Sequence, residues 1–90
     1  MSFRILVADD EIENETDEIS KLPDMLRAAG YEVRTTSDAV RVYDLVWDYR
    51  PDLIVLDIVF QDQPVDGVEV CEAIRLNGCD VPIILVTAFR

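Results

Sequence analysis

Apolar positions along the chain follow two alternating patterns. Short apolar runs at Phe3–Ala8 (FRILVA), Leu53–Leu56 (LIVL) and Ile83–Thr87 (IILVT) have the length of buried strands. Glu32–Thr36 (EVRTT) alternates and is rich in β-branched residues, which predicts a further strand. Between the strands the spacing becomes helical. Ile19, Leu22, Leu26 and Ala29 form one stripe, stopped by Gly30, with Pro23 expected to kink the helix or delay its start. Ala39, Val42, Tyr43 and Val46 form a second, with Ser37 or Asp38 as expected N-cap and Pro51 restricting Arg50 at its end. Trp47 shares a helix face with Val40 and Tyr43 and widens this apolar arc, so it is expected in the core rather than in a partner-binding patch. Val70, Cys71 and Ile74 form the third stripe, which closes at Asn77-Gly78.

The predicted order is β-α-β-α-β-α-β. Alternation of this kind implies right-handed crossovers and a parallel sheet with helices on both faces, an α/β fold. Near-continuous apolar strands suit a sheet covered on both sides. Ligand sites in such sheets lie beyond the carboxyl ends of the strands, where strand order reverses. No internal repeat or interdomain linker interrupts the 90 residues, so one small domain is expected.

Charge narrows the chemistry. Nineteen acidic against eight basic residues give a net charge of −11, which argues against nucleic-acid contact by this segment. There is no histidine, which removes histidine acid–base catalysis, serine triads and histidine-ligated zinc. Cys71 and Cys79 are too few for a disulfide framework or a four-thiolate metal site and are read as reduced structural thiols. No apolar run approaches the roughly 20 residues of a bilayer span, and the N-terminus lacks the pattern of a signal peptide. A soluble, cytoplasmic chain without membrane contact is the expectation.

Carboxylates gather where the topology predicts a site. The first strand runs into Asp9-Asp10-Glu11, the third into Asp57, the fourth into Thr87-Ala88. Two carboxylates about 4 Å apart repel by roughly 4 kcal/mol at an effective dielectric near 20. No arginine or lysine is close in sequence, so a proton or a cation must relieve the crowding. Oxygen-only donors of this kind suit Mg²⁺. An acidic run after a strand can also simply charge a helix N-terminus. Asp57, directly after four aliphatic residues, is a costly place for an unused charge.

These residues lie within a set of motifs: Ile5-Leu6-Val7-Ala8-Asp9-Asp10-Glu11, Ala29-Gly30-Tyr31-Glu32-Val33, Arg50-Pro51-Asp52-Leu53-Ile54-Val55-Leu56-Asp57-Ile58, Asp66-Gly67, and Val81-Pro82-Ile83-Ile84-Leu85-Val86-Thr87-Ala88. With these motifs the chain resembles the receiver domain of two-component response regulators. The resemblance implies a flavodoxin-like parallel sheet of strand order 2-1-3-4-5, of which this chain holds four strands in order 2-1-3-4. It implies Asp57 as phosphoacceptor and Thr87 as the hydroxyl that senses the phosphoryl group. It implies Asp9, Asp10, Asp57 and the backbone carbonyl of Val59 around Mg²⁺, with Asp9 acting mainly through water. The implied donor is a sensor histidine kinase or phosphotransfer protein, and an output domain would follow residue 90. Such a module is not an enzyme beyond its own phosphorylation and dephosphorylation. An alternative is a pseudo-receiver that binds partners without phosphate; a hydrolase using Asp57 covalently lacks a clear general acid.

The chain departs from the family pattern in three places. It stops after the fourth strand, so the fourth helix, fifth strand, fifth helix and the family's phosphoryl-contacting lysine are absent, and Lys21 is not placed to replace that lysine. Residues 1–90 therefore read as the N-terminal part of a fivefold β-α domain, a fragment or a naturally reduced form. The fourth strand is then an exposed apolar edge that invites homodimerisation. Glu11–Glu18 is long and acidic, read as a solvated helix entry. The loop after Asp57 is about two residues longer than the common pattern, with Gln61 where proline is usual and Pro64 later.

Overall fold

A computed structural model describes residues 2–10 and 21–87 of the chain. Ile19, Ala88 and the acidic stretch Glu11–Glu18 lie outside the described residues. The elements are β1 (Arg4–Ala8), α1 (Leu22–Ala28), β2 (Glu32–Thr36), α2 (Arg41–Asp48), β3 (Leu53–Asp57), α3 (Gly67–Leu76) and β4 (Ile83–Val86). The strands form one parallel sheet in the order β2-β1-β3-β4, as the sequence predicts.

The period-two alternation of strand side chains divides the core into two layers. Leu6, Ala8, Ile54 and Leu56 pack with Ala39, Val42, Leu45 and Val46 at α2 and with Val70 and Ile74 of α3. Ile5, Val7, Val33 and Val55 pack on the opposite side with Leu22 and Leu26 of α1. Helices therefore cover both faces, and β1 and β3 are buried on both. Each fully buried aliphatic such as Leu6 or Ile54 contributes about 2 kcal/mol through removal of apolar area from water.

Local chemistry fixes the helix ends. Pro23 delays the start of α1 rather than kinking it, since it stands in the first turn, where a missing N–H leaves no bond unmade. Gly30, at φ 99°, lets the Tyr31 N–H donate to the Leu26 carbonyl and close the helix. Gly78, at φ 82°, follows α3 in the same way. Asp66 and Glu69 form a reciprocal capping box at the α3 entry, with bonds of 2.8 and 3.2 Å.

Two expectations for α2 are corrected. The helix begins at Arg41, and its N-cap position is Val40, which offers no side-chain bond. Asp38 instead accepts the Val40 N–H in a tight turn (2.9 Å), and the Ala39 N–H is taken by Gln63 from another loop (2.7 Å). Both bonds serve the turn ahead of the helix; the Val42 and Tyr43 N–H groups of its first turn donate to the backbone carbonyls of Ala39 and Val40 (3.3 and 3.2 Å), so neither Ser37 nor Asp38 is the N-cap of α2. Trp47 is not in the core: it is 53 % exposed, because Val42, Leu45, Val46 and Tyr49 take the inward face and rotate Trp47 and Val40 outward.

At the sheet's opposite end, Arg4 ties three elements together. Its backbone N–H donates to Asp52, its guanidinium donates to the Tyr49 carbonyl, and it pairs with Glu32. The guanidiniums of Arg4 and Arg34 both stand over the Tyr49 ring, 5.6 and 5.1 Å from its centre. Burial, with the Glu32 carboxylate nearby, pushes the Tyr49 phenol up to about 12. β4 lies at the sheet's edge with Ile84 and Leu85 exposed.

Candidate functional site

The strand order reverses between β1 and β3, and the carboxyl ends of these two strands carry the acidic residues. Asp9 follows β1 directly; its backbone N–H donates to the Thr36 carbonyl at the end of β2 (3.1 Å), which fixes its height. Asp57 is the last residue of β3, opposite Val86 of β4. Both carboxylates are almost fully buried, Asp9 at 1 % and Asp57 at 0 % exposure. Asp10, next in sequence, is half-buried.

Asp9, Asp10 and Asp57 each place a carboxylate oxygen within 4.8 Å of the other two. Three charges at this spacing repel by about 3 to 4 kcal/mol per pair at an effective dielectric near 20. The donors are all hard oxygens, two of them held by a rigid sheet. This is the set expected of a small divalent cation of the Mg²⁺ type, and the residues fit such an ion.

The loop between β3 and α3 wraps the site. The Val59 N–H reaches back to Asp57 Oδ1 (3.3 Å) and the Gln61 N–H donates to Asp10 Oδ2 (2.9 Å). Asp62 takes a left-handed conformation, φ 58°, as the loop turns. The loop returns to the strand at Gly67, whose N–H donates to the Ile58 carbonyl (2.8 Å). A Cβ at Gly67 would overlap the Asp57 carbonyl oxygen and come within 2.9 Å of the Asp57 carbonyl carbon and the Ile58 Cα. Gly67 is thus the residue that lets α3 start against the backbone of Asp57.

The residues singled out from sequence are placed as follows. Asp9, Asp10 and Asp57 come together. Val59 is two residues beyond Asp57 and exposed, with its N–H directed to Asp57. Thr87 follows Val86, the register partner of Asp57, and so stands exposed at the same edge of the sheet. Lys21 is exposed just before α1. Two contributors have no role assigned from the sequence. Gln63 joins two loops, and no local pattern marks it. Gly67 could have been found from the Asp-Gly pair at the head of the third helical stripe.

The comparisons with known proteins point the same way. A family model described as "Response regulator receiver domain" matches residues 5–90. The chain is 39 % identical over 88 residues to proteins named Response regulator MprA from Mycobacterium sp. (strain KMS) and Mycobacterium tuberculosis (strain ATCC 25618 / H37Rv). These matches cover 98 % of the chain and 36 % of the relatives, so the chain spans about a third of their length. Among solved structures, response regulator protein TrrA from Thermotoga maritima, determined in complex with Mg(2+)-BeF, superposes with a TM-score of 0.81 at 34 % identity. That match covers 99 % of this chain and 71 % of TrrA. NtrX from Brucella abortus matches with a TM-score of 0.78 at 31 % identity, over 94 % of this chain and 18 % of NtrX.

Proposed function

Because the chain belongs to the response regulator receiver domains of two-component signalling, we propose that it is a phosphoacceptor module that takes a phosphoryl group onto Asp57 with Mg²⁺ at the neighbouring carboxylates. The observation that carries this reading is the meeting of Asp9, Asp10 and Asp57 at the switch point of the sheet. The similarity to TrrA, solved with Mg(2+)-BeF, supports it.

In this reading Asp57 is the nucleophile. An ionised carboxylate needs no general base, so the lack of histidine is no obstacle. One Asp57 oxygen attacks phosphorus, the bond from phosphorus to the donor's leaving group breaks, and an acyl phosphate forms on Asp57. The Val59 N–H, already on Asp57 Oδ1, helps orient the carboxylate. Mg²⁺, when bound, supplies charge neutralisation for the carboxylates and the incoming phosphoryl oxygens. Asp10 and Asp57 would hold it, with Asp9 behind them and the Val59 carbonyl as a further donor. Thr87, one residue past Asp57's register partner, would sense the new phosphoryl oxygens. The donor is a phosphohistidine on a sensor kinase or phosphotransfer protein, and the reader of the change is an output region beyond this segment. The chain acts only on itself and turns over no other substrate.

Incubation with Mg²⁺ and a small acyl phosphate or phosphoramidate donor tests the reading. Intact mass is expected to rise by one phosphoryl group, and the gain is expected to vanish with EDTA or in Asp57→Asn. Absence of the adduct on folded protein would favour a partner-binding domain that does not take phosphate.

A further inference from the structure

The loop from Ile58 to Asp66 joins β3 to α3, and ordering a loop of this length costs conformational entropy. Yet its backbone reaches the acidic site, since the Gln61 N–H binds Asp10. Two residues on, the Gln63 side chain crosses to the loop between β2 and α2. Its amide nitrogen donates to the Ser37 carbonyl (2.9 Å), and its amide oxygen accepts the Ala39 N–H (2.7 Å). Both ends of one half-buried amide are therefore used on a single neighbouring segment.

The bonds close a ring around the carboxylates. Asp9 is fixed by its N–H on the Thr36 carbonyl. Thr36 Oγ1 accepts the Asp38 N–H (3.2 Å), which shapes residues 36–39. Gln63 clamps that segment, and Gln61, on the same loop as Gln63, returns the ring to Asp10. Gln63 is the one side chain in this ring that crosses between the two loops.

We propose that Gln63 is a positioning residue for the divalent-cation site: by bracketing Ser37 and Ala39 it holds the extended loop so that the Gln61 N–H fixes the Asp10 carboxylate for the ion. The proposal rests on the reading of Asp9, Asp10 and Asp57 as a cation site. Groups outside the ligand shell that orient ligands in this way change metal affinity by about 10- to 100-fold when removed.

The test compares Gln63→Ala and Gln63→Met with the unaltered chain. Methionine keeps the length of the side chain and loses both hydrogen bonds, so it separates loss of the clamp from loss of packing. Two quantities are measured: the Mg²⁺ dissociation constant by calorimetry, and amide hydrogen exchange of Gln61 and of Ile54–Leu56 without metal. The expected result in both variants is Mg²⁺ binding weaker by about tenfold. Gln61 exchange should be faster by a similar factor, with Ile54–Leu56 unchanged. Unchanged Mg²⁺ affinity and Gln61 protection would overturn the proposal. So would a lowered melting temperature with metal affinity intact, because that is the signature of a merely structural clamp. If the unaltered chain binds no Mg²⁺, the cation-site reading fails, and the positioning role proposed for Gln63 fails with it. Gln61 exchange would still show whether the clamp itself exists.

Discussion

Gly67→Ala is expected to destabilise the chain by about 3 kcal/mol, the upper range for overpacking a site that cannot give way. For a domain of this size that is a fall in melting temperature of about 15 °C. The reason is the identity of the obstacle. The new methyl group would overlap the carbonyl oxygen of Asp57, which is backbone at the end of a central strand and not the tip of a flexible side chain. Relief requires moving either α3 or the strand end that carries Asp57, so cation binding should weaken together with stability. Gly30→Ala provides the contrast. Nothing lies within 4 Å of a Cβ there, and the cost is limited to the left-handed backbone, about 1 kcal/mol. Chemical denaturation of both variants checks the difference; a loss at Gly67 no larger than that at Gly30 would mean that α3 and the Asp57 backbone yield to the added methyl group.

The second large effect has the opposite sign. Asp57→Asn in metal-free buffer is expected to stabilise the fold by about 2 kcal/mol, or about 10 °C in melting temperature, while abolishing phosphorylation. The substitution keeps the shape of the side chain and removes one of three charges held within 4.8 Å of one another. Two of the three pairwise repulsions then disappear, and most of that gain is offset because the Val59 N–H loses a charged acceptor and the new buried amide brings N–H donors that need partners. The same variant should gain less than the unaltered chain from added Mg²⁺, since stabilisation by a ligand scales with its affinity for the folded state. Thermal scans with EDTA and with Mg²⁺ measure both halves. A metal-free Asp57→Asn protein less stable than the parent would mean that the carboxylate is held by favourable contacts that outweigh the crowding.

The same features decide how much could be read from the sequence. Strands were legible because Ile5–Ala8 and Ile54–Leu56 are buried on both faces and therefore apolar without interruption, a pattern that survives in one dimension. The meeting of Asp9, Asp10 and Asp57 was legible because the topology of an alternating chain fixes which strand ends adjoin. Three details were not. Trp47 went outward because the inward face of α2 was already filled by Val42, Leu45, Val46 and Tyr49, a competition the apolar arc alone does not resolve. The start of α2 shifted to Arg41 because a turn ahead of it is held by Asp38 and, from 24 residues away, by Gln63. A partner that distant leaves no local signature. The position of Gly67 was legible as an Asp-Gly pair, but its purpose, the space it leaves beside the Asp57 backbone, is revealed only by packing.

In the proposed function, three carboxylates from two strand ends form one divalent-cation site. Calorimetric titration of Mg²⁺ into the metal-free chain, and into Asp10→Asn and Asp57→Asn, tests it most directly. A single saturable site is expected in the parent chain, with binding weakened by at least about tenfold in each variant. Binding of equal strength in all three proteins, or none in the folded parent chain, would contradict it.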